Sequence, residues 1–165
     1  MMSFRIAQHV ALVAATITTG LIAGLFFAFA CAVMPALGRS SDRTFVEAMQ
    51  KINVAILNGW FMLCFLGSLF LGILAVVLHL RRDGRSALPW IIAGLVLYVV
   101  VLAITGGVNV PLNNQLDKAG PVDRIADLSA VRVAFESKWV TWNLARTVAN
   151  TAAFGCLSWA LVVSR

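Results

Sequence analysis

Arg146 interrupts an otherwise apolar segment spanning residues 139–163. Glu136, Trp139, Asn143, Arg146 and Asn150 are spaced three, four, three and four residues apart, which a 3.6-residue period gathers on one stripe of one helix. A charged residue near the middle of a membrane helix costs roughly 2.5 to 3.5 kcal/mol on insertion scales, so it must face other helices, water or a ligand. The stripe is therefore the first candidate site.

The elements that position it are transmembrane helices. Of 165 residues, 61% are hydrophobic and 12% charged, about half the charged fraction of a soluble domain. Residues 10–37, 54–80, 88–108 and 139–163 form four apolar stretches, each long enough to cross a bilayer, for which roughly 20 helical residues suffice. The remaining residues serve as connections, so the expected architecture is an all-α, single-domain, four-helix integral membrane bundle over residues 1–165. The first stretch is far longer than a signal-peptide core and reads as an uncleaved helix. Cys31, Cys64 and Cys156 are odd in number, have no CxxC spacing and fall inside apolar segments, which points to small buried hydrophobes rather than a disulfide or metal framework.

The net charge of +6 is dispersed through the loops, which excludes a nucleic-acid partner and turns attention to membrane orientation. Arg81-Arg82-Asp83-Gly84-Arg85 is the densest basic cluster, whereas the first and third loops mix both signs. This places both termini and the second loop in the cytoplasm of a multi-pass cell-membrane protein. Two long loops then lie outside. The first holds a short helix over residues 41–51, capped by Ser41 or Asp42 with Phe45, Met49 and Ile52 on its apolar edge. The third follows Pro111, which is expected to end the third helix.

Each helix has an expected interior face. In the first it holds His9, Thr16, Gly20, Ala23, Phe27 and Met34, with Gly20 and Gly24 as a small-xxx-small pair. In the second it holds Asn53, Leu57, Trp60, Cys64 and Leu71. In the third Tyr98, Thr105 and Asn109 align, with Asn113 just beyond. The polar members concentrate toward the outer side, so a polar chamber near the outer leaflet, covered by the two long loops, is the expected site.

Several segments resemble the small four-helix membrane proteins grouped with fungal and bacterial anthrone oxygenases. They are Val33-Met34-Pro35-Ala36-Leu37, Met49-Gln50-Lys51-Ile52-Asn53, Asn109-Val110-Pro111-Leu112-Asn113, Trp139, Trp142-Asn143 and Arg146-Thr147. The likeness runs essentially end to end. It implies oxidation of an anthrone to an anthraquinone by molecular oxygen, with no evident cofactor and no metal. On that reading Arg146, Asn143, Asn109 and Asn113 donate to an enolate oxygen. Trp60, Trp139 and Trp142 sandwich the rings, and Asn53, Tyr98 and Glu136 complete the substrate surface.

Structural readings of the same residues stand beside this one. Arg146 pairing with Glu47 or Glu136 would hold loops to the bundle, the asparagines would cap helix ends, and Trp90 and Trp159 would sit in an interfacial aromatic belt. His9 and His79 share one end of the bundle, but two histidines without a carboxylate make a thin metal site. Three functional classes follow: an oxygenase for a lipophilic aromatic, a non-catalytic membrane subunit or lipid-binding scaffold, and a transporter. The last lacks an inverted repeat or a pair of broken helices.

Overall fold

The computed structural model describes residues 2–80 and 85–164, so Arg81, Arg82, Asp83 and Gly84 of the basic second loop lie outside the described residues. The described residues form helices and turns without strands. In chain order the helices are α1 (Met2–Ala28), α2 (Met34–Gly38), α3 (Asp42–Ala55), α4 (Gly59–His79), α5 (Leu88–Ile104), α6 (Val110–Lys118) and α7 (Leu128–Val163). Three continuous helical segments, Phe4–Gly38, Gly59–His79 and Leu88–Lys118, are long and apolar enough to cross a membrane. The chain is a multi-pass, all-α membrane protein. The helix α7 packs against α1 and α5 but is not among those three segments, because Asn143, Arg146 and Asn150 dilute its apolar run.

Two of the four prolines, Pro35 and Pro111, reshape the helices without ending them. A proline lacks the N–H that would bond the carbonyl four residues back, and its ring crowds that carbonyl. The helix answers by widening: Phe29–Val33 and Thr105–Asn109 are π-helical, and Pro35 and Pro111 follow directly in the first turns of α2 and α6. The Met34 and Val110 amides reach five residues back, to the carbonyls of Phe29 and Thr105. Pro111 therefore does not stop the third helix, which continues to Lys118 rather than closing near residue 108.

The other boundaries shift for identifiable reasons. Ser41 caps α3 by accepting from the Thr44 amide, as expected, but α3 runs on to Ala55. A turn then follows and Asn58 caps α4, so the second membrane helix begins at Gly59 and not at residue 54. Asp127 caps α7 eleven residues ahead of the apolar run, since the amphipathic stretch before Trp139 joins the same helix.

Above the bundle, α3, α6 and the first turns of α7 form a cap with its own core of Met34, Phe45, Val46, Met49, Leu112, Leu116, Phe135 and Trp139. Polar ties hold it down. Arg132 donates to Glu136 at 2.6 Å, to Asp42 at 2.9 Å, and to the carbonyls of Ser40 and Gly38 at 3.0 and 2.7 Å. Gln50 donates to the Leu116 and Gly120 carbonyls, each at 3.0 Å. Gly120 takes φ +84°, a left-handed turn that glycine adopts without strain, and redirects the chain toward α7.

The inner face of the first helix only partly matches the expected one: Thr16, Ala23 and Met34 are buried as expected, and Gln8, Leu12, Ala15, Thr19, Ile22 and Phe26 are buried with them, whereas His9 and Phe27 are exposed. The histidine bonds its own helix, at the Arg5 carbonyl, and does not seek the interior. Gly20 permits a close approach, since a Cβ there would lie 2.8 Å from the Phe154 ring, but Gly24 has nothing within 4 Å. In α4 the buried positions are Ser68, Gly72, Ala75 and His79, with Leu57 and Trp60 exposed. Cys31 is exposed, and Cys64 and Cys156 are half-buried.

Candidate functional site

A cavity of about 580 Å³ lies between the cap and the bundle, within the size range of small-molecule sites. Its walls come from the end of α1, the turn between α3 and α4, the π-helical segment Thr105–Asn109 with α6, and the middle of α7. Leu25, Phe26, Phe29, Phe61 and Phe65 make it largely apolar and aromatic. Asn53, Asn109, Asn113, Trp139 and Arg146 supply its polar points. The widened turns matter here, because Phe29, Thr105 and Asn109 all line the cavity from π-helical positions. An extra residue in a turn re-aims the side chains around it, a common device at functional sites.

Arg146 is 8% exposed. Its Nε donates to Asn143 Oδ1 at 3.1 Å, and its guanidinium carbon lies 4.2 Å from the centroid of the Phe26 ring and 5.1 Å from that of Trp139. Desolvated cation–π contacts of this kind contribute roughly 2 kcal/mol. Among the described residues no acceptor bonds Nη1 or Nη2 and no carboxylate pairs with the side chain. The buried guanidinium thus has one polar partner among the described residues, Asn143, with the aromatic faces of Phe26 and Trp139 in place of others. Glu47 pairs instead with Lys51 on the exposed face of α3, which holds its carboxyl below the ordinary value. Glu136 belongs to the Arg132 tie.

The surrounding residues fix the arginine. Asn143, buried, donates from Nδ2 to the Phe26 carbonyl at 3.3 Å, which leaves its Oδ1 turned to Arg146. Trp139 donates from Nε1 to Asn113 Oδ1 at 2.8 Å and packs against Phe135 and Phe29 with centroids 6.0 and 5.7 Å apart. Asn109 donates to the Trp139 carbonyl at 3.5 Å. Three asparagines and one tryptophan thus hold the α7 stripe against α1 and α6.

Not all of the expected site residues converge. Trp60 is 81% exposed on the outer face of α4 and does not line the cavity, since the turn at residues 56–58 rotates α4 relative to α3. Trp142 is 38% exposed, three residues from Trp139 but off the inner stripe. Tyr98 is buried deeper and donates to the Phe65 carbonyl at 2.6 Å, behind the cavity wall. Asn53 does line the cavity. Residues that sequence reasoning missed are Phe26 and Phe29, whose faces meet Arg146 and Trp139, and Asp117 at the cavity wall. The signal for Phe26 was its register with Thr19 and Ile22 on α1.

The fold and the site define an α-helical multi-pass membrane protein with a buried arginine at the wall of an apolar, aromatic cavity. The sequence pattern of the anthrone oxygenase family matches residues 61–156, more than half of the chain, and the protein belongs to that family. No curated protein and no solved structure matches it.

Proposed function

We propose that the protein is a membrane oxygenase that converts an anthrone-like lipophilic aromatic to a quinone with molecular oxygen and without a cofactor. The observation that carries this reading is Arg146, buried in an aromatic cavity with both terminal nitrogens free of protein acceptors among the described residues. Loss of a proton from the ring CH₂ leaves an enolate whose oxygen Arg146 can hold, and donors preorganised in a dry site are worth most where charge develops. The carbanion carbon then bonds one atom of O₂, which is reduced to a peroxide anion, and that anion takes up a proton from solvent, replacing the one released to it from the CH₂, to become a hydroperoxide. Its O–O bond breaks as the remaining C–H is lost, giving the second carbonyl and one water. Asn113 and Asn143 act as positioning residues, through Trp139 and Arg146 respectively.

Purified protein incubated with an anthrone in air is expected to form quinone faster than the spontaneous reaction, equally with and without a chelator. A rate equal to background would favour the non-catalytic scaffold, in which the stripe only ties α7 to α1. Loss of activity with chelator would overturn the cofactor-free route.

In this reading α7 is the fourth membrane-crossing helix, and both termini and Arg85 lie in the cytoplasm of a cell-membrane protein with the cap outside. The charge balance of the loops supports that orientation. A cysteine at Gly120 should then react with an impermeant thiol reagent on intact cells and one at Arg85 should not; the reverse pattern inverts the topology.

A further inference from the structure

The cavity is covered above and floored below but not walled off at one side. The cap core of Phe45, Met49, Leu112 and Leu116 covers it, and Gln50 ties α3 to the end of α6. Below it Phe61 and Phe65 stack with centroids 5.1 Å apart and pack on the cluster of Ile22, Phe26 and Val101. Between the turn that joins α3 to α4 and the start of α6, by contrast, the lining reaches the surface. Val54, Leu57, Met62 and Val110 line the cavity and are all exposed. Met62 and Val110 belong to two of the membrane-crossing segments, Gly59–His79 and Leu88–Lys118, so their exposed sides meet lipid. The other edge of the opening is polar, with Asn114 and Asp117 exposed on α6. Trp60 stands in the chain between Leu57 and Met62, and its exposure in the first turn of α4 is the setting of an interfacial tryptophan.

We infer that the cavity opens sideways into the bilayer, through a mouth between Leu57 and Met62 on one side and Val110 on the other, and takes its ligand from the lipid phase. This rests on the reading of the cavity as a site for a lipophilic molecule, but not on the oxygenase chemistry. A lipophilic aromatic is concentrated in the bilayer, because removing its apolar surface from water is favourable. A mouth facing water would meet that molecule where it is scarcest. It would also leave four apolar side chains grouped in water, whereas lipid covers them. The polar edge at Asn114 and Asp117 sets the mouth at the level where acyl chains meet headgroups. Entry then runs from lipid past Val110 to the rings of Phe29 and Trp139, and the ligand need not cross water to reach Arg146.

The test introduces Thr105→Cys in a full chain whose three native cysteines are replaced by alanine, reconstituted in phosphatidylcholine nanodiscs. Thr105 is half-buried and lines the cavity. Two reagents with the same reactive group are compared: N-phenylmaleimide, which partitions into the bilayer, and its sulfonated analogue, which stays in water. N-phenylmaleimide should modify the cysteine and the sulfonated reagent should not. Val110→Trp, which fills the mouth, should slow that modification by roughly tenfold or more, a change of about 1.4 kcal/mol in the barrier. The same substitution should leave Leu66→Cys, exposed on α4 and outside the cavity, as reactive as before. If Thr105→Cys does not fold, Phe29→Cys reports on the same cavity. Equal reaction with both reagents would place the mouth in water, and no reaction with either, or no effect of Val110→Trp, would overturn the opening described. No anthrone is present, so the outcome is independent of whether quinone forms.

Discussion

Arg146→Lys should lower quinone formation by roughly two to three orders of magnitude, the loss typical of removing one oxyanion donor, while the protein still folds. Lysine keeps the positive charge but replaces a planar fork of donors with a single flexible ammonium. In the wild type one edge of the fork is committed to Asn143 through Nε, and the plane rests on Phe26 and Trp139, so the terminal nitrogens are aimed without further cost. An ammonium in that place cannot bond Asn143 and reach the ligand at once. Arg146→Ala would be less informative, since losing the contacts to α1 and Trp139 disturbs the packing of α7 itself. Activity of the lysine variant within a factor of about three of wild type, with purification and thermal unfolding unchanged, would remove the arginine from the chemistry.

Gly94→Leu should prevent the bundle from closing. Helices α5 and α7 pack along one another. At Gly94 an added Cβ would lie 3.0 Å from Leu157 Cγ and 3.2 Å from the Ala153 carbonyl oxygen. Leu157 and Ala153 are both buried, so neither the side chain nor the backbone has room to retreat. Overpacking of this kind costs about 1 to 3 kcal/mol even where neighbours adjust, and more where the obstacle is backbone. The expected result is a lower unfolding temperature in detergent and a loss of folded yield. Gly67→Ala is the control, since a Cβ there meets nothing within 4 Å and helix propensity favours alanine. Equal stability of the two variants would mean that α5 and α7 are not packed as described.

The stripe on α7 was legible because it depends only on periodicity: Trp139, Asn143, Arg146 and Asn150 are all buried on one face of a single unbroken helix. The α3 helix was legible from Ser41 and the Phe45–Met49 spacing. What a 3.6 period could not convey is how neighbouring helices are rotated. Two π-helical segments shift the register on either side of them, and the turn at residues 56–58 disconnects Asn53 from Trp60, so these two do not share a face. Pro111 was misread for the same reason, because a proline that a widened turn accommodates looks in sequence like one that ends a helix. The aromatic partners of Arg146 on α1 follow from tertiary packing, which places Phe26 rather than Phe27 inside.

The most direct measurement is a structure of the protein with anthraquinone, the stable product analogue, bound in lipid or detergent. The account predicts the ring system between Phe26, Phe29 and Trp139, with one carbonyl oxygen about 2.7 to 3.2 Å from a terminal nitrogen of Arg146. A ligand bound outside this cavity, or inside it with both oxygens turned from Arg146, would contradict the account.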